Sequence, residues 1–199
     1  MITSRSDLAA AIADLIVIGC WVGIIAILVT GKRRATPGAQ HSDPKSMLGL
    51  LLQLAGYVLC FVVPRPLFSP PFPMTKTGEA ILAAFTAVLA LASTWLCHAA
   101  ARALGKHWAL MARVIEGHEL VRTGPYAIVR NPIYLAMLGM VIATALAFTR
   151  WQTLVAAAAA YLVGTLIRIR AEEKLLRCAF GAEFEDYSSK VAALLPRLL

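Results

Sequence analysis

The chain has 199 residues, of which 59% are hydrophobic and only 15% are charged, and its mean hydropathy is +0.72. Soluble domains are close to half apolar and about a quarter charged, so this composition predicts a membrane protein. It excludes an intrinsically disordered chain, because there is ample apolar surface to bury. The net charge of +8 is typical of basic loops on the cytoplasmic side of a bilayer, and we expect no nucleic-acid partner.

Four cysteines, Cys20, Cys60, Cys97 and Cys178, lie inside apolar runs. Four are too few for a disulfide-stabilised scaffold, and no pair has metal-ligand or CxxC spacing. We therefore predict that all four are buried and reduced, and we expect no metal site.

Five apolar runs predict transmembrane helices, at residues 8–30, 47–63, 80–101, 131–149 and 151–167. Basic residues follow the first run instead of preceding it, which favours a retained helix with an external N-terminus over a cleaved signal peptide. Asp14, inside that run, is expected to reach the outer headgroups, and a paired buried acid is the alternative. The fifth run is predicted to continue as a helix beyond the bilayer and to end near Gly181.

The connections between these runs also carry signals. Residues 64–73 contain five prolines and cannot be helical, because each proline removes a backbone donor and restricts the residue before it. Asn131 followed by Pro132 predicts a helix start, with asparagine as the N-cap and proline at the first helical position.

The distribution of positive charge orients the five predicted spans. With the N-terminus outside, 15 of the 19 Lys and Arg residues lie on the cytoplasmic side. The predicted fold is an all-α integral membrane protein with five transmembrane helices and a cytoplasmic C-terminus. Residues 1–105 would form three helices with a Pro-rich external loop, and residues 106–199 a catalytic region with a helical hairpin, within one structural domain.

Two clusters of ionisable residues lie beside the predicted spans, at residues 116–134 and 168–173. Charges near a membrane are costly unless they pair or serve a site, so these clusters are the first places to look for chemistry. The competing interpretation is a solvated helix with interfacial anchors, which is common for such charge runs.

The spacing within the two clusters resembles one known family. The first cluster contains Gly124-Pro125-Tyr126, then Arg130-Asn131-Pro132 and Tyr134, and it follows His118, Leu120 and Val121. The second contains Arg168, Glu172-Glu173, Leu176, Phe180-Gly181, Phe184 and Tyr187. Together they resemble the isoprenylcysteine carboxyl methyltransferase family and its prokaryotic relatives over about residues 106–196.

The resemblance implies an integral-membrane enzyme that uses S-adenosylmethionine. The cofactor pocket would be formed by the connection between helices three and four, the hairpin of helices four and five, and the C-terminal segment. By position, the cofactor-binding residues would be His118, Leu120, Val121, Gly124, Tyr126, Asn131, Tyr134, Glu172 and Glu173. Glu172 would hold the cofactor's ammonium group. The family usually has histidine where this chain has Asn131.

The resemblance also implies that Arg130 and Arg168 face the transfer site, as the catalytic residues. A planar guanidinium can hold a carboxylate bidentately and orient its oxygen toward the methyl group, so the two arginines favour carboxyl O-methylation of a lipophilic or prenyl-type acceptor. The alternatives are a phospholipid or thiol methyltransferase, an NADPH-dependent membrane reductase and a non-catalytic membrane scaffold. We expect a bacterial inner-membrane protein with its active site on the cytoplasmic side.

Overall fold

A computed structural model describes residues 5–34, 44–66, 69–105 and 120–195. Within these ranges the regular structure is entirely helical, which confirms the predicted all-α class. The α-helices are α1 (Arg5–Arg34), α2 (Pro44–Val62), α3 (Lys76–Leu104), α4 (Pro132–Phe148), α5 (Trp151–Phe180) and α6 (Ala182–Lys190). A short 3₁₀ helix, Gly124–Ala127, lies between α3 and α4.

Three helices of the described ranges are long and apolar enough to cross a membrane: α1 over Leu8–Gly31, α3 and α5. The apolar parts of α2, Ser46–Val62, and of α4, Pro132–Phe148, are shorter. The structure therefore supports an integral membrane protein with three candidate spans. Crossing by all five helices, and their orientation, stays a prediction.

The helices pack as neighbouring pairs, with α2 along α5, α1 along α3, and α3 against α4. Glycines bring α2 and α5 into backbone contact. A Cβ atom on Gly49 would lie 2.6 Å from Cγ of Arg168 and 2.7 Å from the carbonyl oxygen of Gly164. Such close approach of small residues is the usual way for helices to associate in a membrane, where van der Waals contact replaces the hydrophobic effect.

The ends of α4 and α5 test the predicted boundaries. Gly181, with a φ of 51°, ends α5, as predicted from its freedom to adopt positive φ. Helix α4 begins at Pro132 with Asn131 at the N-cap position, as predicted, but the Asn131 side chain makes no capping hydrogen bond. Its Nδ2 instead donates to the carbonyl oxygen of Ala193 at 2.9 Å.

The Pro-rich connection between α2 and α3 is non-helical at residues 63–66 and 69–75, as predicted. Its Arg65 guanidinium donates to the carbonyl oxygens of Leu146, Ala147 at 2.8 Å and Thr149 at 3.0 Å. These carbonyls belong to the end of α4, where they lack helical partners and carry the negative end of the dipole. Arg65 therefore caps α4. Burial lowers the pKa of this guanidinium, and the nearby charge of Asp14 opposes that shift.

Two predictions about burial were wrong. Asp14 is only 7% exposed and lines a small cavity with Arg65 instead of reaching the surface, because α1 packs this face against α3. Cys178 is exposed, because it lies near the end of α5, whereas Cys20, Cys60 and Cys97 are buried as predicted.

Candidate active site

A cavity of about 100 Å³ lies between the connection before α4, the second half of α5 and helix α6. Seven of the residues that the sequence singled out line it: Leu120, Val121, Tyr126, Arg130, Asn131, Glu172 and Glu173. Five further lining residues were given no role from the sequence: Leu104, Leu176, Phe180, Phe184 and Tyr187. All of them except Leu104 belong to the motif of the second cluster, so the sequence already indicated that they could be part of the site.

Four predicted residues are not placed at the cavity. His118 falls outside the described residues. Gly124, Tyr134 and Arg168 are not among the residues lining the cavity. Gly124 has a φ of 62° and begins the 3₁₀ helix, which places the buried side chain of Tyr126 at the cavity.

Glu172 connects the cavity to a group of polar side chains that do not line it, which consists of Tyr134, Arg168, Gln53 and Thr165. The hydroxyl of Tyr134 donates to Oε1 of Glu172, and Nη2 of Arg168 approaches the same oxygen at 3.4 Å. The Arg168 guanidinium also lies over the Tyr134 ring, 5.3 Å from its centroid. Charge-assisted hydrogen bonds are normally about 2.7–2.9 Å, so the Arg168 contact to Glu172 is a weak one.

The second contact of Arg168 is with α2. Its Nη1 donates to Oε1 of Gln53 at 3.2 Å, and Nε2 of Gln53 donates to Oγ1 of Thr165 at 2.9 Å. All three side chains are buried. The sequence interpretation missed Gln53, although it is the one side-chain amide in the apolar run 47–63. An amide in such a run requires hydrogen-bond partners, and that was the signal.

Arg130 is held by the protein on several sides. Its Nε and Nη2 donate to Oε1 of Glu173 at 3.0 and 2.7 Å. Its Nη1 donates to the carbonyl oxygens of Ser188, at 2.9 Å, and of Val191. Four of the five guanidinium N–H groups are thereby used, and the bidentate face is directed at Glu173. Arg130 thus joins the connection before α4 to α5 and the C-terminal segment.

Backbone contacts reinforce this attachment of the C-terminal segment. The N–H groups of Arg130 and Asn131 donate to the carbonyl oxygens of Ala192 and Ala193 at 2.9 and 3.1 Å. The hydroxyl of Tyr187 donates to the carbonyl oxygen of Tyr126 at 2.6 Å. Burial raises the pKa of Tyr187 to about 12, so the hydroxyl remains a donor at neutral pH. These bonds hold α6 as one wall of the cavity.

The cavity therefore combines apolar walls with two carboxylates, Glu172 and Glu173, and with Arg130, whose charge is already paired. Such an arrangement suits a ligand with apolar parts and positive charge. Among the described residues there is no cluster of side chains that could hold a metal ion.

Comparison with known proteins finds one matching family. The model of a family described as phospholipid methyltransferase matches residues 81–183, just over half of the chain. This family belongs to the same superfamily as the isoprenylcysteine carboxyl methyltransferases, so the resemblance noted in the sequence is confirmed at that level and not for the specific family. No curated protein matches the chain.

Proposed function

The chain belongs to the phospholipid methyltransferase family, and from that premise we propose that it methylates the amine of a phospholipid headgroup with S-adenosylmethionine. Membership of this family implies that the protein is a membrane methyltransferase. The observation that favours an amine over a carboxylate is the state of the two arginines. The bidentate face of Arg130 is directed at Glu173, and Arg168 contacts Gln53 and Glu172 without lining the cavity.

The cavity residues fit the cofactor by their chemistry. When bound, S-adenosylmethionine supplies an electrophilic methyl group on a positively charged sulfur. Glu172 would hold the ammonium of its amino-acid part, because this carboxylate faces the cavity and its contact with Arg168 is long. The apolar side chains of Leu120, Val121 and Leu176 would contact the uncharged parts and exclude water.

A phospholipid amine needs more from the protein than a carboxylate does. Amines of this kind have a pKa of about 10, so the headgroup arrives as an ammonium and must lose a proton before its lone pair can attack. Glu173 is the second carboxylate at the cavity. Its Oε1 is held by Arg130, but its Oε2 makes only a long contact of 3.4 Å to Arg177, so Oε2 is the oxygen that would attract the ammonium and accept its proton.

Carboxyl O-methylation of a lipophilic or prenyl-type acceptor is the second candidate. Arg130 lines the cavity and retains one unused N–H, so it can contact a carboxylate through a single hydrogen bond. It cannot offer the bidentate grip on which the prediction from the sequence rests.

Acceptor competition tests the proposal. The purified protein, in nanodiscs containing phosphatidylethanolamine, is given methyl-labelled S-adenosylmethionine, and parallel reactions add a farnesylcysteine carboxylate or a thiol. We expect label in the lipid as base-stable N-methyl products. Base-labile label released as methanol would support the carboxyl ester instead. A protein that binds S-adenosylhomocysteine but methylates none of the acceptors would support a scaffold, and thermal stabilisation by NADPH would support a reductase.

We further propose five membrane crossings, an external N-terminus and a cavity facing the cytoplasm of a bacterial cell, because 15 of the 19 Lys and Arg residues would then lie on the cytoplasmic side. The natural cysteines provide the test, because Cys178 is exposed and the other three are buried. A membrane-impermeant maleimide should label Cys178 in inverted membrane vesicles and leave intact spheroplasts unlabelled. Labelling of intact spheroplasts would reverse the orientation.

A further inference from the structure

Gln53 lies on α2, outside the residues 81–183 that match the family model. It is 5% exposed, and both the nitrogen and the oxygen of its side-chain amide make hydrogen bonds to buried side chains of α5. The amide nitrogen donates to Thr165 and the amide oxygen accepts from Nη1 of Arg168. Gln53 does not line the cavity, so any effect it has on a bound ligand must pass through another residue.

The position of this amide is fixed by its surroundings. A Cβ atom on Gly164 would lie 2.9 Å from the backbone nitrogen of Gln53 and 2.5 Å from the carbonyl oxygen of Gly49. The two backbones are therefore in contact here, and α2 cannot approach further. Thr165 is fully buried and accepts from the amide nitrogen, which turns the amide oxygen toward Arg168.

Two Arg–Glu pairs beside the cavity differ in how closely the arginine approaches the carboxylate. Arg130 holds Glu173 through two hydrogen bonds at 3.0 and 2.7 Å. Arg168 and Glu172, four residues apart on the same helix, approach only to 3.4 Å. The Arg168 guanidinium is instead divided between two partners, because its Nη1 donates to the Gln53 oxygen on α2 at 3.2 Å. Glu172 is therefore paired with its arginine less closely than Glu173 is.

We propose that Gln53 is a positioning residue: it holds Arg168 back from Glu172 and so keeps that carboxylate available to the ammonium group of the cofactor. This inference rests on the proposed function, because it assigns the ammonium to Glu172. It predicts that loss of the Gln53 amide lets Arg168 close on Glu172, in the manner of Arg130 and Glu173, and compete with the cofactor.

Calorimetric titration with S-adenosylhomocysteine tests this proposal on the full-length protein in detergent. Gln53→Leu should weaken binding about tenfold, the effect of one weakened charge-assisted contact. Gln53→Glu should restore the affinity, because a carboxylate still accepts from Arg168 and can accept from the Thr165 hydroxyl. Ser46→Ala is the matched control, since Ser46 is a second buried polar residue of α2, is only 4% exposed, and should leave the affinity unchanged.

A double-mutant cycle separates positioning from packing. In an Arg168→Met background the residue through which Gln53 acts is absent, so adding Gln53→Leu should have no further effect on affinity. Equal weakening in both backgrounds would overturn the proposal, as would unchanged affinity in Gln53→Leu. If Gln53→Leu does not fold, Thr165→Val and Thr165→Ser replace it. Only the valine variant should weaken binding, by about threefold, because it lacks the hydroxyl that orients the amide.

The wild-type titration separates failure of the proposed function from failure of the Gln53 proposal. If the wild-type protein does not bind S-adenosylhomocysteine, the proposed function fails and this proposal with it. If the wild type binds and the Gln53 variants bind equally well, the proposed function stands and the role of Gln53 is refuted.

Discussion

Replacing Arg130 by lysine distinguishes attachment of the C-terminal segment from contact with the acceptor. Lysine keeps the charge but loses the planar fork. It can retain the ion pair with Glu173 while losing the bonds to the carbonyl oxygens of Ser188 and Val191. Hydrogen bonds to a charged group contribute about 1.5–3 kcal/mol each, and because the two share one nitrogen and are not additive, we expect a loss of about 3 kcal/mol.

This loss would appear as local opening of the C-terminal segment. About 3 kcal/mol corresponds to a roughly 10²-fold larger open population. Trypsin reports on it directly, because Lys190 at the end of α6 is an exposed cleavage site and cleavage follows the open population when reclosing is fast. We expect faster cleavage and weaker binding of S-adenosylhomocysteine, since Phe184 and Tyr187 form part of the cavity wall.

Arg122→Lys is the matched control for this experiment. Arg122 pairs with Glu183 at the surface, where both side chains are substantially exposed and such a pair contributes little. We expect neither cleavage nor binding to change in this variant. If Arg130→Lys instead leaves cleavage and binding as in the wild type and lowers turnover alone, the reasoning is refuted. Arg130 would then contact the acceptor, and carboxyl O-methylation would become the better proposal.

Three further predictions follow from single contacts. Glu172→Gln should weaken binding of S-adenosylhomocysteine by about 1–3 kcal/mol, measured by calorimetry, and unchanged affinity in the folded variant would remove Glu172 from the site. Gly49→Ala should destabilise the protein by about 1–3 kcal/mol, because the new Cβ meets Gly164 and Arg168. Gly19→Ala is the control and should be neutral or slightly stabilising, because a Cβ there has nothing within 4 Å. Equal thermal unfolding of the two variants would contradict the packing argument. Arg65→Gln should lower the free energy of unfolding by about 2–3 kcal/mol, because the cap on α4 is lost. Ligand affinity should stay unchanged, since the cavity lies at the opposite end of this helix, about 25 Å away. A change in affinity would show coupling along α4.

The sequence determined the helices because the information for them is local. An uninterrupted apolar run specifies a buried helix through its own backbone hydrogen bonds, and the runs at residues 8–30, 80–101 and 151–167 all became long helices. Gly181 and Pro132 set boundaries through their own backbone geometry, so they too were predictable. The motif spacing was sufficient to identify the superfamily.

Partners distant in sequence were beyond such reasoning. The side chain of Asn131 was predicted to cap α4 because the pattern Asn-Pro suits a cap, but it bonds to Ala193, 62 residues away. Burial of Asp14 likewise depends on the packing of α1 against α3 and on Arg65, a residue from another connection. The sequence around Asn131 and Asp14 contains no signal for these partners, Ala193 and Arg65.

The two arginines show what only the tertiary structure decided. From the sequence, Arg130 and Arg168 were two cations beside a predicted pocket, and both were assigned to the acceptor. In the folded protein Arg130 holds Glu173 and the C-terminal segment, while Arg168 bonds to Gln53, 115 residues away on a helix outside the residues that match the family. Helix formation depends on neighbours in the chain, whereas the partner of a buried charge depends on which helices pack together. Our proposal favours an amine over a carboxylate because the partners of these two arginines are set by the packing of the helices.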